Sequence, residues 1–269
     1  MPRPTFLDVH PAFNGAETYK CTNEEAMAYR VLLNRKSFKT TGAIASSGDV
    51  LLSALLPRSE KVYAVDHNNS SIAVAMLKAI MLDQMGVRAF KALLIDQSFN
   101  QFYKKASTFV SEMPPALQSG LTRHGASVLN SHDYTDLRRE WLNYPDGALE
   151  TSRRRLDAVT FVHGDLQDLA QFGPMDLLYV SNACEHRNRD GKSPTLKYLS
   201  PLVREDGTLL VARSTTYSRH EDPLFWKHQK RFLATRLGWN YDLYTRKTPP
   251  AAHPAVQGPV AEASASLAV

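Results

Sequence analysis

Five apolar runs, at residues 42–45, 62–65, 159–162, 177–180 and 208–212, each end in a short polar signal. The signals are Ser46-Ser47-Gly48-Asp49, Asp66, Asp165, Ser181-Asn182 and Arg213-Ser214. Short continuous apolar runs bounded by turn residues read as strands buried on both faces. Helical stretches lie between several of them, and strands alternating with helices predict an α/β fold. The expected core is a doubly wound, mostly parallel sheet covered on both faces. In open sheets of that kind ligands bind beyond the carboxyl ends of the strands, so the polar ends are candidates for a single site.

Residues 1–39 read as an extended segment followed by one helix. Thr22 or Asn23 can cap that helix, Glu24 and Glu25 suit its positive end, and Ala26, Tyr29, Leu32 and Leu33 recur at helical spacing. This part is expected to act as an N-terminal lid on a Rossmann-like domain at residues 40–247. The first polar turn should lead into a helix over 50–56, stopped by Pro57. The second strand should lead through Asp66-His67-Asn68-Asn69 into a helix over 70–85, with Ile72, Met76, Ala79 and Ile80 as its stripe and Gly86 as its stop. The strand pattern then pauses over about residues 87–156, too long for an ordinary loop and therefore expected to be a helical insertion. Phe99, Phe102, Tyr103, Ala106, Phe109 and Val110 form one helical stripe there, stopping before Pro114-Pro115, and a second helix is expected over 133–142. Beyond the last core strand the pattern suggests a helix over 223–237 and a strand over 241–245. Residues 248–269, rich in Pro and Ala, are expected to be a disordered tail.

Composition narrows the partners. The net charge is +5 and the pI about 9.1, but the basic residues are scattered and most have carboxylates nearby, as in Arg138-Arg139-Glu140. That pattern fits solvated helix faces, so no nucleic-acid partner is expected. No run approaches the ~20 apolar residues of a membrane span. The first residues lack the apolar core of a secretory signal, and Cys21 and Cys184 make no disulfide framework, which together point to the cytoplasm. The histidines and cysteines show no metal spacing, so no metal is expected.

Each polar end suits a particular task. Ser46, Ser47, Gly48 and Asp49 leave a strand for a helix start, where amides and hydroxyls can bind a ligand that Gly48 lets approach. The spacing is not G-x-G-x-x-G, which argues against a dinucleotide. Asp66, 18 residues beyond Gly48, can accept from both hydroxyls of a ribose, with His67 and Asn68 beside it. Asp165, followed by Leu166, can accept from an adenine amine or cap a helix. Ser181 and Asn182 belong beside the transferred group, since the fourth strand should neighbour the first. Glu185 and His186 are the nearest general-base candidates, and Arg213 offers a planar fork for a carboxylate or an ion pair with an aspartate.

Together these residues resemble class I enzymes that use S-adenosylmethionine (SAM). More narrowly, they look like the 3-amino-3-carboxypropyl transferases typified by the betaine-lipid enzyme that alkylates diacylglycerol. The resemblance rests on Tyr19 and Glu24-Glu25 before the fold, the glycine-poor turn Ser46-Ser47-Gly48-Asp49, Asp66-His67-Asn68, the insertion and Arg213-Ser214. It implies a class I methyltransferase-like fold and SAM as substrate. From their positions at the strand ends and in the N-terminal segment, the expected catalytic set is Ser181, Asn182, Tyr19, Glu185 and Arg213. The chain is shorter than the betaine-lipid enzymes and shows no evident apolar surface for a lipid, so a small acceptor is expected. Azetidine-2-carboxylate synthases, which close the aminocarboxypropyl chain on its own amine and release methylthioadenosine, are enzymes of this general kind. The alternatives are a conventional small-molecule methyltransferase, a non-catalytic SAM-binding protein and an RNA-modifying enzyme.

Overall fold

The computed structural model describes residues 3–9, 26–34, 36–96, 104–124, 145–181, 195–214, 226–234 and 239–248. Its strands are β1 (Thr5–Asp8), β2 (Phe38–Ile44), β3 (Ser59–Asp66), β4 (Val159–His163), β5 (Met175–Tyr179), β6 (Val203–Ser214), β7 (Trp226–Ala234) and β8 (Trp239–Arg246). They form one sheet in the order β1-β4-β3-β2-β5-β6-β8-β7. Every neighbouring pair from β1 to β6 is parallel, and β8 runs antiparallel to both β6 and β7. The order turns back between β2 and β5, because β3 and β4 extend the sheet to one side while β5 and β6 extend it to the other. This is the doubly wound, mostly parallel α/β arrangement that the alternation of strands and helices predicts.

Both faces are covered. Val62 and Ala64 of β3 pack into one cluster, whereas Tyr63 and Val65 pack into another, as the two-residue period of a strand requires. Helix α1 (Ala26–Leu33) buries Ala28, Tyr29, Leu32 and Leu33 at 0–1% exposure. The Tyr29 ring meets those of Tyr179 and Tyr241 edge-on at 5.7 and 5.6 Å, and its hydroxyl lies 3.2 Å from that of Tyr179. Helix α2 (Asn69–Asp96) is interrupted at Gly86, whose φ of 74° and ψ of 165° are not helical. Gly86 therefore ends one helix as expected, and another begins directly after it. Residues 70–83 of α2 are all buried, because α3 (Pro115–His124) and α4 (Asp146–Arg153) of the insertion pack against a helix that already lies on the sheet. The segment Asn69–Leu94 is apolar and long enough to cross a membrane, with 83% of its most apolar window buried in the protein. That composition is also what a helix surrounded by core requires.

Several expectations change. The helix expected over 223–237 is, at residues 226–234, strand β7. Trp226, Gln229, Phe232 and Leu233 mimic helical spacing, but β8 buries Tyr241, Asp242, Leu243 and Tyr244 and offers a sheet edge that β7 covers. A register shift between His228 and Lys230 absorbs the mismatch. His228 Nε2 sits 2.9 Å from Asp242 Oδ1 across the pair. In the aromatic stripe, Ser107–Glu112 is a 3-10 segment that ends before Pro114 as expected, and Pro115 then opens α3, since the first helical position needs no N–H. Residues 5–8, within the expected lid, form the edge strand beside β4. Phe99, Phe102, Tyr103, the helix expected over 133–142 and residues 249–269 of the expected tail lie outside the described residues.

Candidate active site

Parallel strands bring their carboxyl ends to one edge. The Ala45 amide donates to the Val65 carbonyl at 2.8 Å, Asp66 is in register with His163, and the Ala212 amide donates to the Ser181 carbonyl at 3.0 Å. Ser46, Asp66, Asp165, Ser181 and the backbone of Arg213 therefore share that edge. At the turning point of the sheet, the residues just beyond β2 and β5 are Ser46 and Ser181, and each has a left-handed φ of 45°. A non-glycine residue held this way costs of order 1–3 kcal/mol, a strain that clusters at ligand sites.

Asp66 joins two of these ends. Its Oδ2 accepts the Ser46 amide at 3.0 Å and its Oδ1 accepts the Asn68 amide at 2.9 Å. Burial pushes the Asp66 carboxyl above its usual value of 3.8, against the opposing pull of the Asn68 amide, the His67 charge, the Ser46 amide and His163. Asn68 is also tied down, its Oδ1 accepting the Ser70 amide at 3.0 Å as α2 begins. His67 between them is exposed.

The first turn divides into a face toward the crevice and a foundation. Ser47, Gly48 and Asp49 are buried, whereas Ser46 is half-buried. Ser47 Oγ donates to Asp49 Oδ2 at 3.1 Å, and Lys78 Nζ of α2 donates to Asp49 Oδ1, both side chains being fully buried. Gly48 has φ 81°, and a Cβ there would lie 2.9 Å from the Ala75 Cα and Cβ. The close approach expected of a ligand at Gly48 is thus made by α2. After the turn the chain winds through a π-helical segment, Leu51–Leu55, with the Ser53 hydroxyl donating to the Asp49 carbonyl at 2.6 Å. Such segments are frequent beside functional sites.

Asp165 realises the helix-cap reading. Its carboxylate accepts the Leu166 amide at 2.6 Å, and Asp168 accepts the Asp165 amide at 2.6 Å, completing a capping box on the segment Leu166–Phe172. Leu166 is buried beneath it, and Ser181 is buried too. Tyr19, Asn182, Glu185 and His186 lie outside the described residues, so the structure brings together Ser46, Asp66, Asp165, Ser181 and the Arg213 backbone. Sequence reasoning missed Lys78, Asp8 and His163. Lys78 stands among Met76, Leu77, Ala79 and Ile80, and that apolar setting was the available signal. Among the described residues no group of three His, Cys, Asp or Glu side chains could hold a metal ion.

No family model matches the chain, and no curated protein matches it either. Solved structures are similar in fold. A conserved hypothetical protein from Streptococcus pyogenes is 8% identical, with 81% of this chain and 95% of that one covered, at a TM-score of 0.45. The N-methyltransferase NodS from Bradyrhizobium japonicum in complex with S-adenosyl-L-homocysteine is 9% identical, covering 82% and 84%, at 0.40. A SAM-dependent O-methyltransferase from Thermotoga maritima is 11% identical, covering 84% and 66%, at 0.38. Each likeness is one of fold outline alone.

Proposed function

We propose that this chain is a SAM-dependent transferase acting on a small molecule, with methyl transfer as its reaction. The observation that carries the reading is Asp66 at the end of β3, the strand beside β2, with its carboxylate joined to the turn after β2. A carboxylate offers about four lone-pair sites, and the amides of Ser46 and Asn68 take one on each oxygen. One site per oxygen remains, which matches the two neighbouring hydroxyls of a ribose. Asp165 at the next strand end would accept from the adenine amine. Ser46 and Ser181, on either side of the turning point, would face the sulfonium end of the same ligand.

A bound sulfonium supplies an electrophilic carbon, so the protein has only to orient it toward an acceptor and exclude water. Ser181 would orient the reacting end from β5, and the fixed turn at Ser46 would set how deeply the ligand sits. The second reading is aminocarboxypropyl transfer, with attack at the γ-carbon and release of methylthioadenosine, up to cyclisation to azetidine-2-carboxylate. It is favoured by the turn's single glycine and by Asp66-His67-Asn68. In that reading Arg213 would hold the carboxylate, Asn182 the amine, Glu185 a proton, and Tyr19 would close the site.

Mass spectrometry of purified protein incubated with SAM, alone and with a panel of small amines, alcohols and carboxylates, tests both. S-adenosyl-L-homocysteine formed with an acceptor supports methyl transfer. Methylthioadenosine moves the assignment to the second reading. Binding without any turnover would make the chain a SAM-binding protein, and no binding at all refutes the proposal.

A further inference from the structure

The edge strand β1 delivers a carboxylate to the active-site end of the sheet. Asp8, its last residue, is in register with His163, and the Val9 amide donates to the His163 carbonyl at 3.0 Å. His163 Nδ1 lies 2.9 Å from Asp8 Oδ1, and its Nε2 lies 3.3 Å from the His67 carbonyl oxygen. The imidazole is buried, with only 1% of the side chain exposed, whereas the Asp8 side chain retains 28%. The ring is therefore gripped from both sides, by strand β1 and by the turn after β3. That turn carries Asp66 and Asn68, and the Gly164 amide beside His163 donates to the Asp66 carbonyl at 3.0 Å.

We propose that Asp8 and His163 are a positioning pair for the ligand-binding turn, in which Asp8 fixes the imidazole and the imidazole fixes the His67 carbonyl, setting where Asp66 presents its free lone pairs. The inference rests on the reading of Asp66 as the ribose carboxylate. Its physical content is a chain of polar contacts across three adjacent strands, β1, β4 and β3. The charged and titratable groups along that chain are Asp8 from β1, His163 from β4, and Asp66 with His67 from β3. Among the described residues the side chain of Asp8 bonds His163, through which it acts on the turn.

Asp8 is the residue to change, because its partial exposure lets the variant fold where a substitution of buried His163 need not. SAM affinity is measured by titration calorimetry on the full chain, beside thermal unfolding and the backbone amide shifts of residues 66–68. Asp8→Ala is expected to weaken SAM binding about tenfold, the scale on which removing the partner of a ligand-orienting group acts. Asp8→Asn, which keeps an oxygen opposite Nδ1, should recover most of that loss. Thr5→Ala is the structural control, since it removes a β1–β4 contact, Thr5 Oγ1 to Thr160 Oγ1 at 2.9 Å, without touching the imidazole. Equal SAM affinity in Asp8→Ala and Thr5→Ala overturns the proposal, as does failure of Asp8→Asn to recover. If the unaltered protein binds no SAM, the functional reading falls on its own. The amide shifts then decide the pair: they must move in Asp8→Ala and stay in Thr5→Ala, and unmoved shifts refute it.

Discussion

Replacing Lys78 by Met tests whether the first turn is built on a buried ion pair. Lys78 and Asp49 have fully buried side chains, and the ammonium donates directly to Asp49 Oδ1. Met fills nearly the same volume, so cavity and overpacking contributions are small. What changes is electrostatic: Asp49 keeps the Ser47 hydroxyl at 3.1 Å but loses the neighbouring cation in a site buried from solvent. Removing one partner of a buried pair costs about 3–5 kcal/mol. A domain of this size loses roughly 2–4 °C of Tm per kcal/mol, so the expected drop is on the order of 10 °C. Asp49→Asn removes the charge opposite the ammonium in turn and should cost a similar amount. The double variant, Asp49→Asn with Lys78→Met, removes both charges and should recover most of the loss, with a coupling energy of at least about 2 kcal/mol. Urea unfolding of the four proteins, with calorimetric Tm values beside it, measures this cycle. A single variant within about 1 kcal/mol of the parent at unchanged m-value, or losses that simply add, would show that the pair does not hold the turn.

Gly48→Ala combines a left-handed φ with a Cβ 2.9 Å from the Ala75 Cα, and should cost roughly 2–4 kcal/mol, visible as a lower Tm; an unchanged Tm contradicts the close packing. Asp66 sets a pH dependence whose sign follows from its raised carboxyl. The stability it contributes is present below the usual 3.8 and is lost as pH rises through the raised folded value. Ribose hydroxyls donating to the ionised form should make SAM affinity increase with pH through that same window. Calorimetric titration at several pH values checks this, and a curve that Asp66→Asn leaves unaltered counts against the assignment. Asp165→Ala should cost about 1 kcal/mol through loss of the cap, and Asp165→Asn much less; denaturant unfolding distinguishes them.

The central sheet was legible because its strands are buried on both faces. Met175, Asp176, Leu177, Leu178 and Tyr179 are all buried, and four of the five are apolar, so the run stands out without any partner being known. Elements that depend on a distant partner were not legible. Thr5–Asp8 is four residues long and half exposed in character, and only the edge of β4 makes it a strand. Strand β7 carries a helical spacing of large side chains, overruled by pairing with β8. The same limit governs the site. Asp66 and Ser181 could be placed from their strands, because the end of a parallel strand has a predictable location. Lys78 could not, because a lysine on a helix is assigned to solvent by default, and here its side chain is buried against Asp49 of the first turn. The neighbour that fixes Asp49 lies 29 residues away, and the one that fixes His163 lies 155 away.

That last separation bears on how the protein is made. Strand β1 leaves the ribosome ahead of β4, its hydrogen-bonding partner, which is synthesised about 155 residues later. At ~5–20 residues per second the N-terminal strand waits roughly 10–30 s without its neighbour. Docking of β1 is therefore among the late steps of assembly, and this strand extends the sheet rather than nucleating it. A bulky fusion placed ahead of residue 5 would burden the strand whose final residue holds the buried His163 imidazole.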